Sequence, residues 1–216
     1  MNIDDYFPVR PSFSDADKVC FLNLLVTLGN HKDFKYLEVG SFLGGSLSFP
    51  LIYNKVSKVV SIDSRPIESP DERGITCHYA ITTDQMKLNL TASGVPLEKL
   101  TTFDGTLANF STNETFDFIF LDGEHTDEST FSDAVYALRI LTNPGLIAFH
   151  DASLIHKAIS NFVTLLSSLS IPYRTHLDLY ADIYAIVFGD FEVLYHNLFE
   201  SGSRDLSELR LKNRTS

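Results

Sequence analysis

Between Tyr36 and Ser46 a short apolar run meets an acid, then a turn holding three glycines, and a helical pattern follows. Leu37 and Val39 suit a buried parallel strand. Gly40, Gly44 and Gly45 let the backbone reverse sharply and approach a bound molecule with no Cβ in the way. With Ser41 inside the turn, Ser46 is expected to open a helix to about Tyr53, its free amides facing the same crevice.

That strand, turn and helix begins an alternation that runs through the chain. Residues 59–63, 100–103, 116–122 and 146–150 read as further buried strands, and residues 83–92, 129–141 and 155–169 as helices. Asn143-Pro144-Gly145 is expected to stop the helix before it, and residues 65–74, with two prolines and several charges, read as a surface loop. Residues 173–175 and 183–188 supply two last strands at one edge. The expected fold is α/β: a doubly wound, mostly parallel, seven-stranded sheet with helices on both faces. Before the sheet, Ser14 reads as a helix N-cap with Asp17 in the reciprocal position, and apolar residues follow at helical spacing.

The 216 residues suffice for one substantial core, so one domain is expected over 1–216, with a core at about 35–190, a helical cap at 1–34 and a polar tail at about 200–216. Seventeen basic against twenty-eight acidic side chains, 17 − 28 = −11, would repel a polyphosphate backbone, so nucleic acid is not an expected partner. No apolar run reaches the roughly 18 residues that cross a bilayer. The N-terminus is acidic, and a cytoplasmic protein with no membrane partner is expected. Cys20 and Cys77 lie in unrelated segments with no metal-ligand spacing. The apolar cluster of Phe188, Phe191, Val193, Leu194, Leu198 and Phe199 leaves a homo-oligomer open, with intrachain packing the expectation.

Glu38, Asp63, Asp104 and Asp122 each stand at the carboxyl end of a predicted strand, and in a doubly wound sheet those ends converge on one crevice. A dinucleotide would set its pyrophosphate beside Glu38, whereas S-adenosylmethionine carries a sulfonium and an ammonium that carboxylates favour. Asp63 lies near the ~20-residue offset at which an acid grips ribose hydroxyls. Asp104-Gly105 is expected by the adenine. Asp122-Gly123-Glu124-His125, opposite His150-Asp151, could hold a divalent cation and a general base together. His150 and Asp151 reach one ion only if their strand has already ended.

Together these residues resemble the class I S-adenosylmethionine-dependent methyltransferases, in the branch with Asp-Gly-x-His, a helix containing an Asp, a Pro-Gly turn and a strand ending in His-Asp. Here those are Asp122 to His125, Asp133, Pro144-Gly145 and His150-Asp151, and the likeness covers about residues 35–152. The branch includes sugar O-methyltransferases of antibiotic tailoring and relatives of cephalosporin-hydroxylase proteins. The resemblance implies a Rossmann-like methyltransferase fold with S-adenosylmethionine bound by Glu38, Gly40, Ser41, Gly44, Gly45, Ser46, Asp63, Asp104, Gly105 and Asp122. It implies His125 as the base and Asp122 and Asp151 as ligands to Mg²⁺ or Mn²⁺, with His150 beside them as a third candidate ligand. A histidine ligand suits a softer ion than Mg²⁺, and His150 stands where some relatives carry an acid.

The expected activity is O-methylation of a small-molecule hydroxyl. N-methylation, an inactive S-adenosylmethionine-binding scaffold and an NAD-dependent oxidoreductase remain as alternatives.

Overall fold

The computed structural model describes residues 3–65, 70–76, 80–177 and 180–189. Seven strands form one sheet in the order β3-β2-β1-β4-β5-β7-β6. They are β1 (Phe34–Val39), β2 (Val56–Asp63), β3 (Leu100–Asp104), β4 (Phe116–Leu121), β5 (Leu141–Phe149), β6 (Tyr173–Leu177) and β7 (Tyr184–Phe188). The first five run parallel, while β7 pairs antiparallel with both β5 and β6. The chain winds outward in both directions from β1 and β4, whose carboxyl ends flank the crevice where such sheets bind ligands.

Successive strand residues point to opposite faces, so a centrally placed strand must be apolar on both. In β4, Phe118 and Phe120 enter one core while Ile119 and Leu121 enter the other. The first core takes Phe21, Leu24, Leu25 and Leu28 from α1 (Asp15–His31). It also takes Phe49 from α2 (Ser48–Ile52) and Leu90 from α3 (Thr83–Ala92). The second takes Ala134 and Ala137 from α4 (Asp127–Ile140) and Ile159 and Phe162 from α5 (His156–Ser168). Among the described residues, no helix is long and apolar enough to cross a membrane.

The capping box expected at Ser14 and Asp17 is present, with each side chain bonded to the other's backbone amide. Three expectations are corrected. The helix after the glycine turn begins at Ser48 rather than Ser46, is five residues long, and neither its N-cap Leu47 nor Ser48 lines the crevice. α4 ends at Ile140, and Asn143-Pro144-Gly145 lies inside β5 instead of capping the helix. The pairing jumps there, from Phe116 with Leu141 to Phe118 with Leu146, and that irregularity tolerates a proline without an N–H. The supposed surface loop after β2 buries Arg65 and Asp71 against the crevice. The late apolar cluster beyond Phe188 and the polar tail lie outside the described residues.

Candidate active site

At the carboxyl ends of the central strands lies a cavity of about 260 Å³. Its wall includes Gly40, Ser41, Gly45, Ser46, Asp63, Gly105, Asp122, His125, His150 and Asp151. Residues Arg10 to Phe13, immediately before α1, close one side.

The glycine turn is held by chain rather than by open space. Gly40 has φ +86°, and a Cβ there would lie 2.0 Å from the Asp122 carbonyl oxygen. A Cβ on Gly45 would lie 2.4 Å from Pro11 Cα, so the N-terminal segment can seat on the turn only where a side chain is missing. Gly44 faces Leu90 of α3 and is not on the cavity wall.

Asp63 ends β2 with one carboxylate oxygen accepting from the Ser41 and Phe42 amides, both at 3.0 Å. Arg65 Nη2 reaches the same oxygen at 3.1 Å and donates to Ser41 Oγ at 2.6 Å. Asp63 is thereby fixed in place, and Arg65 partly offsets its charge.

Glu38 is fully buried behind the turn and does not reach the cavity surface. Its carboxyl accepts from the Tyr36 hydroxyl and from Ser46 Oγ. Burial pushes it up to about 8, against the pull of the Ser46 and Tyr36 hydrogen bonds. It is therefore mostly uncharged at neutral pH and braces Ser46 from below, in place of the charge facing a sulfonium that its sequence position suggested. Asp104 also turns away: its side chain is exposed and accepts from the Thr83 hydroxyl, while Gly105 remains on the wall.

The densest chemistry sits between β4 and β5. β5 ends at Phe149, and Asp151 adopts φ +48°, an uncommon conformation for a residue with a Cβ. The strand has thus ended where both residues of the His-Asp pair need it to. Asp122 Oδ1 lies 2.8 Å from His150 Nδ1 and 3.2 Å from His125 Nε2. Asp151 Oδ2 lies 3.3 Å from His125 Nε2 and 3.7 Å from His150 Nδ1.

Burial opposes ionisation of Asp122, but the two imidazoles outweigh it and hold the carboxyl at about 2. Burial likewise disfavours a charged His150 and is outweighed by Asp122, Asp17 and Asp151, so His150 sits well above the usual histidine range. His125 is raised as well: Asp122 and Asp151 overcome its burial. For Asp151, burial wins over the two histidines and raises the carboxyl. The neighbouring acids diverge because Asp122 touches both rings closely and Asp151 stands farther from His150.

One donor atom from each of Asp122, His125, His150 and Asp151 falls within 4.8 Å of the others. Two carboxylates and two imidazoles fit a divalent cation of mixed oxygen and nitrogen preference. The His150 ring lies 4.7 Å from that of Phe13, and its Nε2 lies 3.8 Å from Asp17. The Glu72 amide donates to the His125 carbonyl at 2.9 Å, and the Glu72 carboxylate accepts from the Asp127 amide at 2.6 Å. These contacts place the loop carrying His125.

Sequence reasoning missed Asp17, Arg65, Asp71 and the Arg10–Phe13 segment. Arg65, just past the ribose acid, was the one with a signal; Asp17 was read only as a cap. Asp133 stood in the motif without a role and lies on the cavity wall.

A doubly wound sheet with a glycine turn and acids around one crevice is the architecture of nucleotide-type cofactor enzymes. The model of the methyltransferase-domain family matches residues 37–152, and the chain belongs to that family. The fold is similar to that of the O-methyltransferase NovP, with TM-score 0.63 and 14% identity over 80% of this chain and 79% of that one. It is also similar to an O-methyltransferase from Bacillus cereus in complex with SAH, with TM-score 0.54 and 18% identity over 82% and 84% of the two chains. The uncharacterized protein R132 of Acanthamoeba polyphaga mimivirus is 27% identical over 123 residues, which cover 55% of this chain and 52% of that protein. This chain thus matches only about half the length of that relative. The family and the fold are those expected from the motifs.

Proposed function

We propose that the protein transfers the methyl group of S-adenosylmethionine to a hydroxyl of a small molecule, with His125 taking the hydroxyl proton. The supporting observation is that one cavity holds both a ribose-type acid, Asp63, and the His125–Asp122–Asp151 cluster. The similar folds of the O-methyltransferase NovP and of the Bacillus cereus O-methyltransferase in complex with SAH agree with this reading.

The cavity's acidic side chains, Asp63, Asp71, Asp122, Glu124, Asp133 and Asp151, outnumber its basic ones, Arg10, Arg65, His125 and His150, and favour a positively charged donor. The acceptor oxygen attacks the methyl carbon in line with the carbon–sulfur bond, which breaks to leave S-adenosylhomocysteine. Nε2 of His125 donates toward the Asp122 and Asp151 carboxylates, so the released proton goes to Nδ1, and the two carboxylates stabilise the resulting imidazolium. His150, paired with Asp122, keeps that carboxylate ionised and oriented toward His125. The Arg10–Phe13 segment shields the site from water on one side.

Asp122, His150 and Asp151 would hold a divalent cation, Mn²⁺ better than Mg²⁺. Such an ion, when bound, supplies a Lewis acid that lowers the pKa of the acceptor hydroxyl.

The test is His125→Ala. Turnover is expected to fall about 10²–10⁴-fold while S-adenosylhomocysteine affinity is kept. Unchanged turnover would remove His125 from the chemistry, and turnover that survives thorough chelation would set the cation aside.

A further inference from the structure

Asp133 is the one titratable residue of the motif set that the mechanism leaves without a specific role. It sits within α4, is only 9% exposed, and lines the cavity. Among the described residues no hydrogen bond or ion pair reaches its carboxyl; the influences on it are burial and the charge of Glu124, which lift it to about 7. A mostly buried carboxyl that opens onto a ligand cavity points to a partner that arrives with the ligand.

The position narrows the partner. On the reading above, the reacting methyl lies by His125 and the ribose by Asp63. What remains of the wall includes Gly105, Thr106, Gly123, Ser129 and Asp133. These belong to one side of the sheet: α4 packs on the short turn Leu107–Asn109 that follows Thr106, and a Cβ on Gly123 would lie 3.9 Å from Asp133 Oδ2. Gly105 and Gly123 are required here by the chain itself, since a Cβ would lie 2.7 Å from the Phe103 ring and 3.1 Å from Val39 Cγ1. A purine placed there needs an acceptor for its exocyclic amine. Asp104, the acid expected to supply it, is turned outward to Thr83.

We propose that Asp133 recognises the adenine of the methyl donor by accepting a hydrogen bond from its exocyclic amine. Asp133 is then a specificity-determining residue of the site, and α4 carries recognition of the base as well as packing. The assignment rests on the S-adenosylmethionine reading. It needs only an acceptor oxygen, which the carboxyl offers whether or not it holds a proton.

The test is isothermal titration of the full chain with S-adenosylhomocysteine and with its 6-deamino purine analogue. Wild type is expected to bind the amine-bearing ligand at least about tenfold more tightly, the loss expected when a buried acceptor goes unpaired. Asp133→Ala is expected to bring the two affinities within about threefold of each other, because no acceptor is left. Asp133→Asn keeps an amide oxygen and is expected to keep the preference. Equal affinities in wild type would overturn the proposal without reference to any variant, as would an undiminished preference in Asp133→Ala. Wild type that binds neither ligand would overturn the cofactor reading itself and this assignment with it.

Discussion

His150 Nε2 lies 3.8 Å from the carboxylate of Asp17, which joins the start of the first helix to the end of the fifth strand through a buried charge. Asp17 also bonds the Ser14 amide and accepts from the Asp182 amide at 2.6 Å. Three parts of the chain therefore depend on one side chain. Asp17→Ala is expected to destabilise the fold by about 1–3 kcal/mol in urea unfolding. Asp17→Asn, which keeps an oxygen for capping, is expected to cost less. Equal stability of Asp17→Ala and wild type would mean that these bonds hold nothing together.

The buried Glu38 ties stability to pH. Its ordinary value is 4.5, and in the folded chain burial raises it to about 8. Below pH 4.5 both folded and unfolded chains carry the proton; between 4.5 and 8 only the folded chain does. The contribution of protonated Glu38 to stability is therefore lost as pH rises through that window and is absent above it. The contribution is on the order of 1–4 kcal/mol, and Glu38→Gln is expected to flatten this part of the pH dependence. A variant with the wild-type slope would show that Glu38 is ionised in the folded state.

Gly45→Ala places a methyl group 2.4 Å from Pro11 Cα, a backbone atom that cannot rotate away. The Arg10–Phe13 segment must lift from the turn, at a cost of about 1–3 kcal/mol. Proteolysis near Arg10 is expected to quicken in this variant and S-adenosylhomocysteine to bind less tightly. Cleavage at the wild-type rate would show that the segment does not rest on the turn.

The fold was legible because apolar runs at strand spacing and the helix between each pair are local signals, as residues 116–122 and the Ser14–Asp17 box illustrate. Asn143-Pro144-Gly145 misled because a proline stops a helix or interrupts a strand equally well, and only pairing with β4 decides between them. In the site, the histidine and aspartate cluster was legible from its place at two strand ends. Glu38 and Asp104 were not, because a strand end fixes where a backbone stops and not which way its last carboxylate turns. The face of β1 on which Glu38 lies is covered by α1 and Ser46, and that cover depends on distant packing. Asp133 was visible as a motif position, but its lack of a partner is a property of the assembled cavity.

Isothermal titration of the full chain with S-adenosylhomocysteine, with NAD⁺ as the competing ligand, bears most directly on the cavity's role. Saturable binding of S-adenosylhomocysteine at one site per chain and none of NAD⁺ is the expected result. Binding of NAD⁺ in its place, or of neither, would contradict the assignment of this crevice to a methyl donor.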